Sequence, residues 1–296
     1  MPQPPLIKLA ILVSYDYAYI YQSLPLLYND ADEITIAVDK DRKTWSGSTF
    51  NFDEGLFAWL KSIDHAGKIK IYEDHFYDPS LTTMQNDTRE RTMVGKFMGE
   101  GGWHVQIDAD EYFPEFGKFA QYLKEHGELV TNAATDPVDV YLFWVTLYRQ
   151  TPTGFVFIKD SAESFPAATN KPVYTAARQT GARPHYANFG VFHQSWARTP
   201  EEIATKVNNW SHSADFNVGD YYSFWKNVDE TNYKQHRNIH PVNPKAWKKL
   251  GFLAAKDVTG FIDAYLKKYK LKLSWWQFRK FKKEERKIEK RRNDAM

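Results

Sequence analysis

The sequence contains no cysteine. That absence excludes disulfides, thiolate zinc sites, iron–sulfur clusters and cysteine nucleophiles together, and makes a reducing, cytoplasmic setting the expectation. No stretch of about 18 apolar residues occurs, so nothing reads as a transmembrane helix. The opening MPQPPLIKLAILVSY offers a single basic residue and no small-residue cleavage site, and reads as a first strand rather than a signal peptide. Internal repeats and low-complexity linkers are lacking too, which favours one body with an extension over two domains. Net charge is slight: 39 basic against 37 acidic side chains give +2. The sign is nevertheless uneven. From Lys267 to Met296 there are thirteen Lys and Arg against four acids, a local charge of +9 that leaves the remainder at −7.

What is present is an ordinary apolar fraction, 43 %, in a recognisable order. Residues 7–13, 34–38, 69–72 and 103–107 are short Ile- and Val-rich runs, as expected of strands buried on both faces of a parallel sheet. Helical spacing of apolar residues fills the gaps at 19–27, 54–63 and 84–98, so the first half predicts a βαβ series. After Asp108 the pattern changes to a helix near 116–125, aromatic strands at 140–148 and 154–158, and a strand near 189–193, predicting a mixed second half. Thr199-Pro200-Glu201-Glu202 supplies a cap, a first-turn proline and a third-position Glu, with Ile203, Val207 and Trp210 as the buried face. A further helix starts near Asp257. The expected division is a body over 1–250 and a helical, basic, amphipathic extension over 251–296.

Three D-x-D matches occur among 21 aspartates, close to chance, so position has to separate them. Asp108 and Asp110 follow a buried strand directly, and ligand crevices in open α/β sheets lie beyond the carboxyl ends of strands. Two carboxylates there can hold a divalent cation, which in turn neutralises a diphosphate. Asp30-Ala31-Asp32-Glu33 precedes its strand and is expected to be a solvated loop. Asp39-Lys40-Asp41 follows the second strand, where a carboxylate can meet a ribose or base, or simply form a charged turn. Arg89, Arg91, Arg178, Lys206 and His212 are candidate phosphate partners. Large aromatic residues are more often core than sugar platform, and Trp196, beside His193 in HQSW, is the one to test as a platform.

The succession ILVSYDYAYI, EITIAVDKDRKTWSG, QNDTRERTMVGKFM and WHVQIDADEYF resembles the nucleotide-sugar domain of GT-A glycosyltransferases of the family-two-like group, over about residues 7 to 213. The resemblance implies an α/β fold with a GT-A-like, Rossmann-type mixed sheet flanked by helices. It implies transfer of a sugar from a nucleotide-diphosphate donor to an acceptor hydroxyl with Mn²⁺ or Mg²⁺. By the same resemblance Val13, Ser14 and Tyr15 contact the nucleobase, Asp39 binds base or ribose, and Asp108 and Asp110 engage ribose and metal. VYTAARQTG and NFGVFHQSWARTPEEIATKVNNWSH look like the later part of such enzymes, making His193 a third metal or diphosphate ligand. Arg91 joins the donor-binding set. Glu163 falls where inverting members often place a general base, although the usual acidic pair and the Q-x-x-R-W signature are missing.

Two other classes compete. A sugar nucleotidyltransferase shares this kind of fold but normally opens with a Gly-rich phosphate loop after the first strand, which this chain lacks. A non-enzymatic lipid- or nucleic-acid-binding module would rest on the +9 tail alone. In that tail, from Ser274, a helix puts Trp275, Phe278, Phe281 and Ile288 on one stripe. Such a helix suits an anionic membrane surface, where a lipid-linked or envelope glycan acceptor would be met. A helix docked on the body and a nucleic-acid arm are the alternatives, the last least favoured.

Overall fold

The computed structural model describes residues 3–209 and 216–294. His212 and Trp210 lie outside the described residues. The apolar runs of the first half become β1 (Ile7–Val13) and β2 (Glu33–Asp39), buried along almost their whole length and paired in parallel. β3 (Ile69–Asp74) adds outside β2, and β4 (Trp103–Gln106) adds to the other side of β1, both parallel. The crossovers carry α1 (Ile20–Ser23), α2 (Gly55–Ile63) and α3 (Thr83–Met98). The order β3-β2-β1-β4 reverses between β1 and β4, which opens a crevice at their carboxyl ends.

α3 begins at a reciprocal cap: Gln85 N–H donates to Thr82 Oγ1 and Thr82 N–H to Gln85 Oε1. Helical spacing then turns Asp87, Glu90, Arg91, Val94 and Met98 inward, so one helix face delivers both core and charge.

The second half supplies β5 (Glu111–Tyr112), α4 (Phe116–Glu125), α5 (Gly127–Thr131), β6 (Val138–Thr151), β7 (Gly154–Lys159), β8 (Ser164–Thr169) and β9 (Arg183–His193). It continues with α6 (Pro200–Asn209), α7 (Val218–Lys226), β10 (Lys249–Ala254), α8 (Val258–Lys268) and α9 (Trp275–Asn293). β8 runs antiparallel between β4 and β6, β9 runs parallel to β6, and β7 and β10 extend the far end of β6 as antiparallel partners. The fold is thus α/β, with ten strands among the described residues in one mixed sheet, flanked by helices and closed by a C-terminal helix. β6 pairs with β8 and β9 through its first part and with β7 through its last residues, so one strand joins both parts of the sheet.

Three expectations change. β8 is absent from the strands expected from the sequence, and Pro166 lies within it. The strand tolerates that proline because pairing with β4 is confined to Ala168 and Thr169, and the register against β6 shifts beside it. The boundary expected at 250/251 falls inside β10, and Phe261 of α8 is fully buried against Phe155, Phe157 and Phe192, so this segment belongs to the core. Asp32 is not merely solvated: its carboxylate accepts Ile7 N–H at 2.7 Å and pairs with Lys124 at 3.2 Å, fixing the start of β1.

The basic C-terminal helix docks on β9. Asn188 bonds both the N–H and the carbonyl of Leu273, at 2.8 and 3.1 Å. Gly190 permits this approach, because a Cβ there would stand 2.7 Å from Leu271. Phe278 and Phe281 then pack on Phe143, Phe281 also meets Tyr186, and buried Glu285 accepts Tyr186 N–H and pairs with His185 and Lys282. Trp275 and Trp276 remain 61 % and 71 % exposed. Among the described residues, no helix is long and apolar enough to cross a membrane.

Candidate functional site

A cavity of about 570 Å³ opens at the β1/β4 crevice. Val13, Ser14 and Tyr15 line it from the end of β1, Asp108 and Asp110 from the end of β4, and Arg91 from α3. Arg178, His193 and Lys206 come from the later chain, and Glu163 stands at the start of β8. These residues, spread over almost two hundred positions, are brought together.

Each carboxylate of the D-x-D pair is held by cations. Asp108 meets Arg91 Nη2 at 3.3 Å and Arg178 Nη2 on its other oxygen. Arg91 is itself fixed by Asp87 at 2.6 Å and Gln106 at 2.9 Å, and Arg178 by Glu111 at 3.0 Å. Asp110 Oδ2 accepts Ser195 N–H at 3.2 Å and Arg198 Nη2 at 2.5 Å, with His193 Nε2 at 3.5 Å and Lys206 Nζ at 4.0 Å. Burial opposes ionisation of both acids. Arg178 and Arg91 overcome it at Asp108, and His193 and Arg198 hold Asp110 well below the usual carboxylate range. Left-handed backbone at Ala177 and Ser195, with φ of 47° and 43°, turns the chain immediately before Arg178 and at the amide that meets Asp110.

Arg198 is 2 % exposed and pairs with Asp16 at 2.8 Å as well as with Asp110, yet its Nε and Nη1 find no acceptor among the described residues. Two buried, charged donors without acceptors on a cavity wall are costly, and are what an incoming oxyanion would satisfy. Burial lowers Lys206 to about 8, with Arg198 acting in the same direction and Asp110 opposing.

On the α3 side of the cavity, Glu90 accepts Trp45 Nε1 at 2.5 Å, and burial pushes its carboxyl up to about 8. On the opposite side, Glu163 accepts Trp247 Nε1 at 2.9 Å and lies 4.0 Å from His240 Nε2. Burial raises its pKa, against the Trp247 hydrogen bond and His193.

Several candidates sit elsewhere. Asp39 is off the cavity wall: its two oxygens accept the N–H groups of Asp41, Lys43, Phe76 and Tyr77, which fills the four lone-pair positions of a carboxylate. It organises two loops, and base or ribose contact is not available to it in this arrangement. Arg89 spends Nη1 on the carbonyls of His75 and Phe76. Trp196 touches the cavity but is 1 % exposed and packs edge-on to Tyr221, a core position rather than a sugar platform. Trp45 and Trp144 are the half-buried tryptophans on the wall.

Mn²⁺ or Mg²⁺ would require free oxygens on Asp108 and Asp110. The arginines occupy both Asp108 oxygens and one of Asp110, and among the described residues no group of three or more His, Asp or Glu is arranged to hold a metal. As arranged, Asp108 and Asp110 belong to one ion-pair network with Arg91, Arg178 and Arg198.

Asp16, Glu90, Glu111 and Arg198 escaped the sequence reading. The signal that could have found Arg198 is its place one residue before the Thr199 cap of α6, where the chain must turn from β9 back over the crevice. Compared with known proteins, the chain matches no family model and no curated protein sequence.

Proposed function

We propose that the protein is a glycosyltransferase of GT-A type that moves a sugar from a nucleotide-diphosphate donor to an acceptor hydroxyl. The observation that carries this reading is Arg198, whose buried Nε and Nη1 lack acceptors on the wall of a crevice-end cavity. A diphosphate supplies paired oxyanions of the required kind. The base rests near Val13, Ser14 and Tyr15, the ribose near Asp108, and the diphosphate against Arg198 and Lys206. Attack of the acceptor oxygen on the anomeric carbon breaks the bond to the distal phosphate, whose oxygen leaves with the electron pair. Glu163, whose proton affinity is raised by burial, takes the acceptor proton. Protein cations stabilise the departing diphosphate, so no step is routed through a metal. A requirement for Mn²⁺ or Mg²⁺ stands as the competing proposal for the same charge.

The exposed Trp275 and Trp276, beside outward-facing Lys and Arg of α9, support work at the surface of an anionic membrane, where acceptors are lipid-linked or part of the envelope.

Incubation with a panel of nucleotide sugars, with Mn²⁺ or with EDTA, tests the reaction. Release of nucleoside diphosphate that survives EDTA supports transfer with protein cations alone, whereas release abolished by EDTA replaces that account with the metal one. Release of pyrophosphate from a nucleoside triphosphate and a sugar phosphate, with no nucleoside diphosphate from any donor, refutes transfer in favour of nucleotidyl chemistry. Glu163→Gln is expected to lower transfer by about 100-fold or more while nucleoside diphosphate binding persists.

A further inference from the structure

Beyond the donor cavity lies a second, open-mouthed one, of about 700 Å³, bordered by the 243–248 segment, the end of β7 and the first turns of α9. Glu163 and His240 line both cavities, so the second reaches the carboxylate assigned to the acceptor proton from the side opposite the nucleotide. Lys245, Lys248 and Lys280 converge on its wall from two separate elements. All three are exposed, and none makes an ion pair among the described residues. Asp160 and Glu284 are the acids on the wall besides Glu163, and Glu284 is paired with Lys287 at 3.2 Å. The space is therefore positively charged away from its carboxylate end. Trp276 stands one helical turn before Lys280, on the same side of α9, and is 71 % exposed.

From this geometry we infer that the second cavity is the acceptor site and takes an acceptor bearing a phosphate, its hydroxyl directed at Glu163 and its phosphate at Lys245, Lys248 and Lys280. The acceptor role rests on the transferase reading above; the anion site does not. Lysines fit this purpose because compact ammonium groups on flexible stems follow a phosphate without demanding a fixed bidentate geometry. Selection works by charge: an uncharged sugar gains nothing from the lysines, and an acidic one is drawn toward the carboxylate that must accept its proton.

The test uses the full chain and two phosphate probes, glycerol 3-phosphate and dihexanoyl phosphatidic acid below its micellar concentration, with glycerol as the neutral control. Binding is followed by calorimetry in the presence of saturating uridine diphosphate. Saturable binding of a phosphate probe, no binding of glycerol, and a loss of about tenfold or more in the Lys245→Glu/Lys248→Glu/Lys280→Glu variant support the site. Tighter binding of the lipid probe identifies a lipid-borne phosphate, and equal binding a soluble phosphate ester. The variant alters exposed side chains, so an unchanged melting temperature and unchanged uridine diphosphate affinity are expected of it. Probe affinity unaffected by the triple substitution, or probe binding displaced by uridine diphosphate, overturns the assignment. If no nucleoside diphosphate binds the unaltered chain, the transferase reading and the acceptor role fall together, while phosphate binding lost in the triple variant still upholds the anion site.

Discussion

Replacing Glu90 by glutamine exchanges a buried acid for a neutral side chain of the same shape. The carboxyl is 6 % exposed, and burial raises it from 4.5 to about 8, against the Trp45 hydrogen bond and Arg91. A raised carboxyl pKa means the folded protein binds the proton more tightly than the unfolded chain. Its favourable contribution is complete below about pH 4.5 and is lost as pH rises through about 8. Glutamine has no such loss. At about 1.4 kcal/mol per pKa unit, the variant should gain on the wild type by ~1 kcal/mol at pH 5 and ~3 kcal/mol at pH 7. For a chain of this length the larger figure corresponds to about 5 °C in Tm. Thermal denaturation followed by circular dichroism between pH 5 and 8 reads the difference directly, and any fixed cost of the amide cancels between pH values. A gap that does not widen over this range would show that Glu90 is ionised in the folded protein and would refute the electrostatics drawn for the crevice cavity.

Other outcomes follow from the same side chains. Lys206 loses its charge near pH 8, so nucleoside diphosphate affinity should fall by up to about tenfold per unit above that pH, and Lys206→Met should flatten the profile. An identical pH profile in the variant would exclude Lys206 from diphosphate binding. Glu285 is held down at about 2, because bonds from His185, Lys282 and the Tyr186 amide outweigh its burial. The stability it confers is therefore present above about pH 4.5 and lost as pH falls toward 2. Glu285→Ala should cost ~3 kcal/mol and speed proteolysis within α9; unchanged proteolysis would argue against docking through this residue. Trp275→Ala/Trp276→Ala should weaken cosedimentation with phosphatidylglycerol vesicles without lowering Tm, since both rings are exposed. Undiminished cosedimentation would remove the membrane reading. Deleting 274–296 is a poorer test, because it also strips Phe278, Phe281 and Glu285 from β6 and β9.

The parallel half of the fold was legible because β1, β2 and β4 are buried on both faces and leave unbroken apolar runs. Position at a strand end likewise pointed to Asp108 and Asp110, and the resemblance to Tyr15, as residues of one crevice. β8 was hidden by Pro166, whose place in a strand depends on where pairing with β4 stops and on a register shift against β6. Arg198 was harder to see: it belongs to no motif, and its one signal is the adjoining Thr199 cap. Asp39 shows the reverse: a well-placed acid whose oxygens are consumed by four amides, two from its own loop and two from the loop after β3. The tail's stripe was visible as periodicity, but what it faces is decided by Asn188, Gly190 and Tyr186 on β9, and the sequence of the helix contains no trace of them.

The docking of α9 on β9 also orders events on the ribosome. Tyr186 and Phe143 leave the exit tunnel roughly a hundred residues before Phe281 and Glu285, which at ~5–20 residues per second is a wait of about 5–20 s. Once β10 has emerged, and until α9 follows, the nascent chain carries the whole sheet with Phe143 and Tyr186 still uncovered by Phe281. Translational pausing or premature termination within α9 would therefore release a product that is folded in most respects yet adhesive, a natural client for holding chaperones.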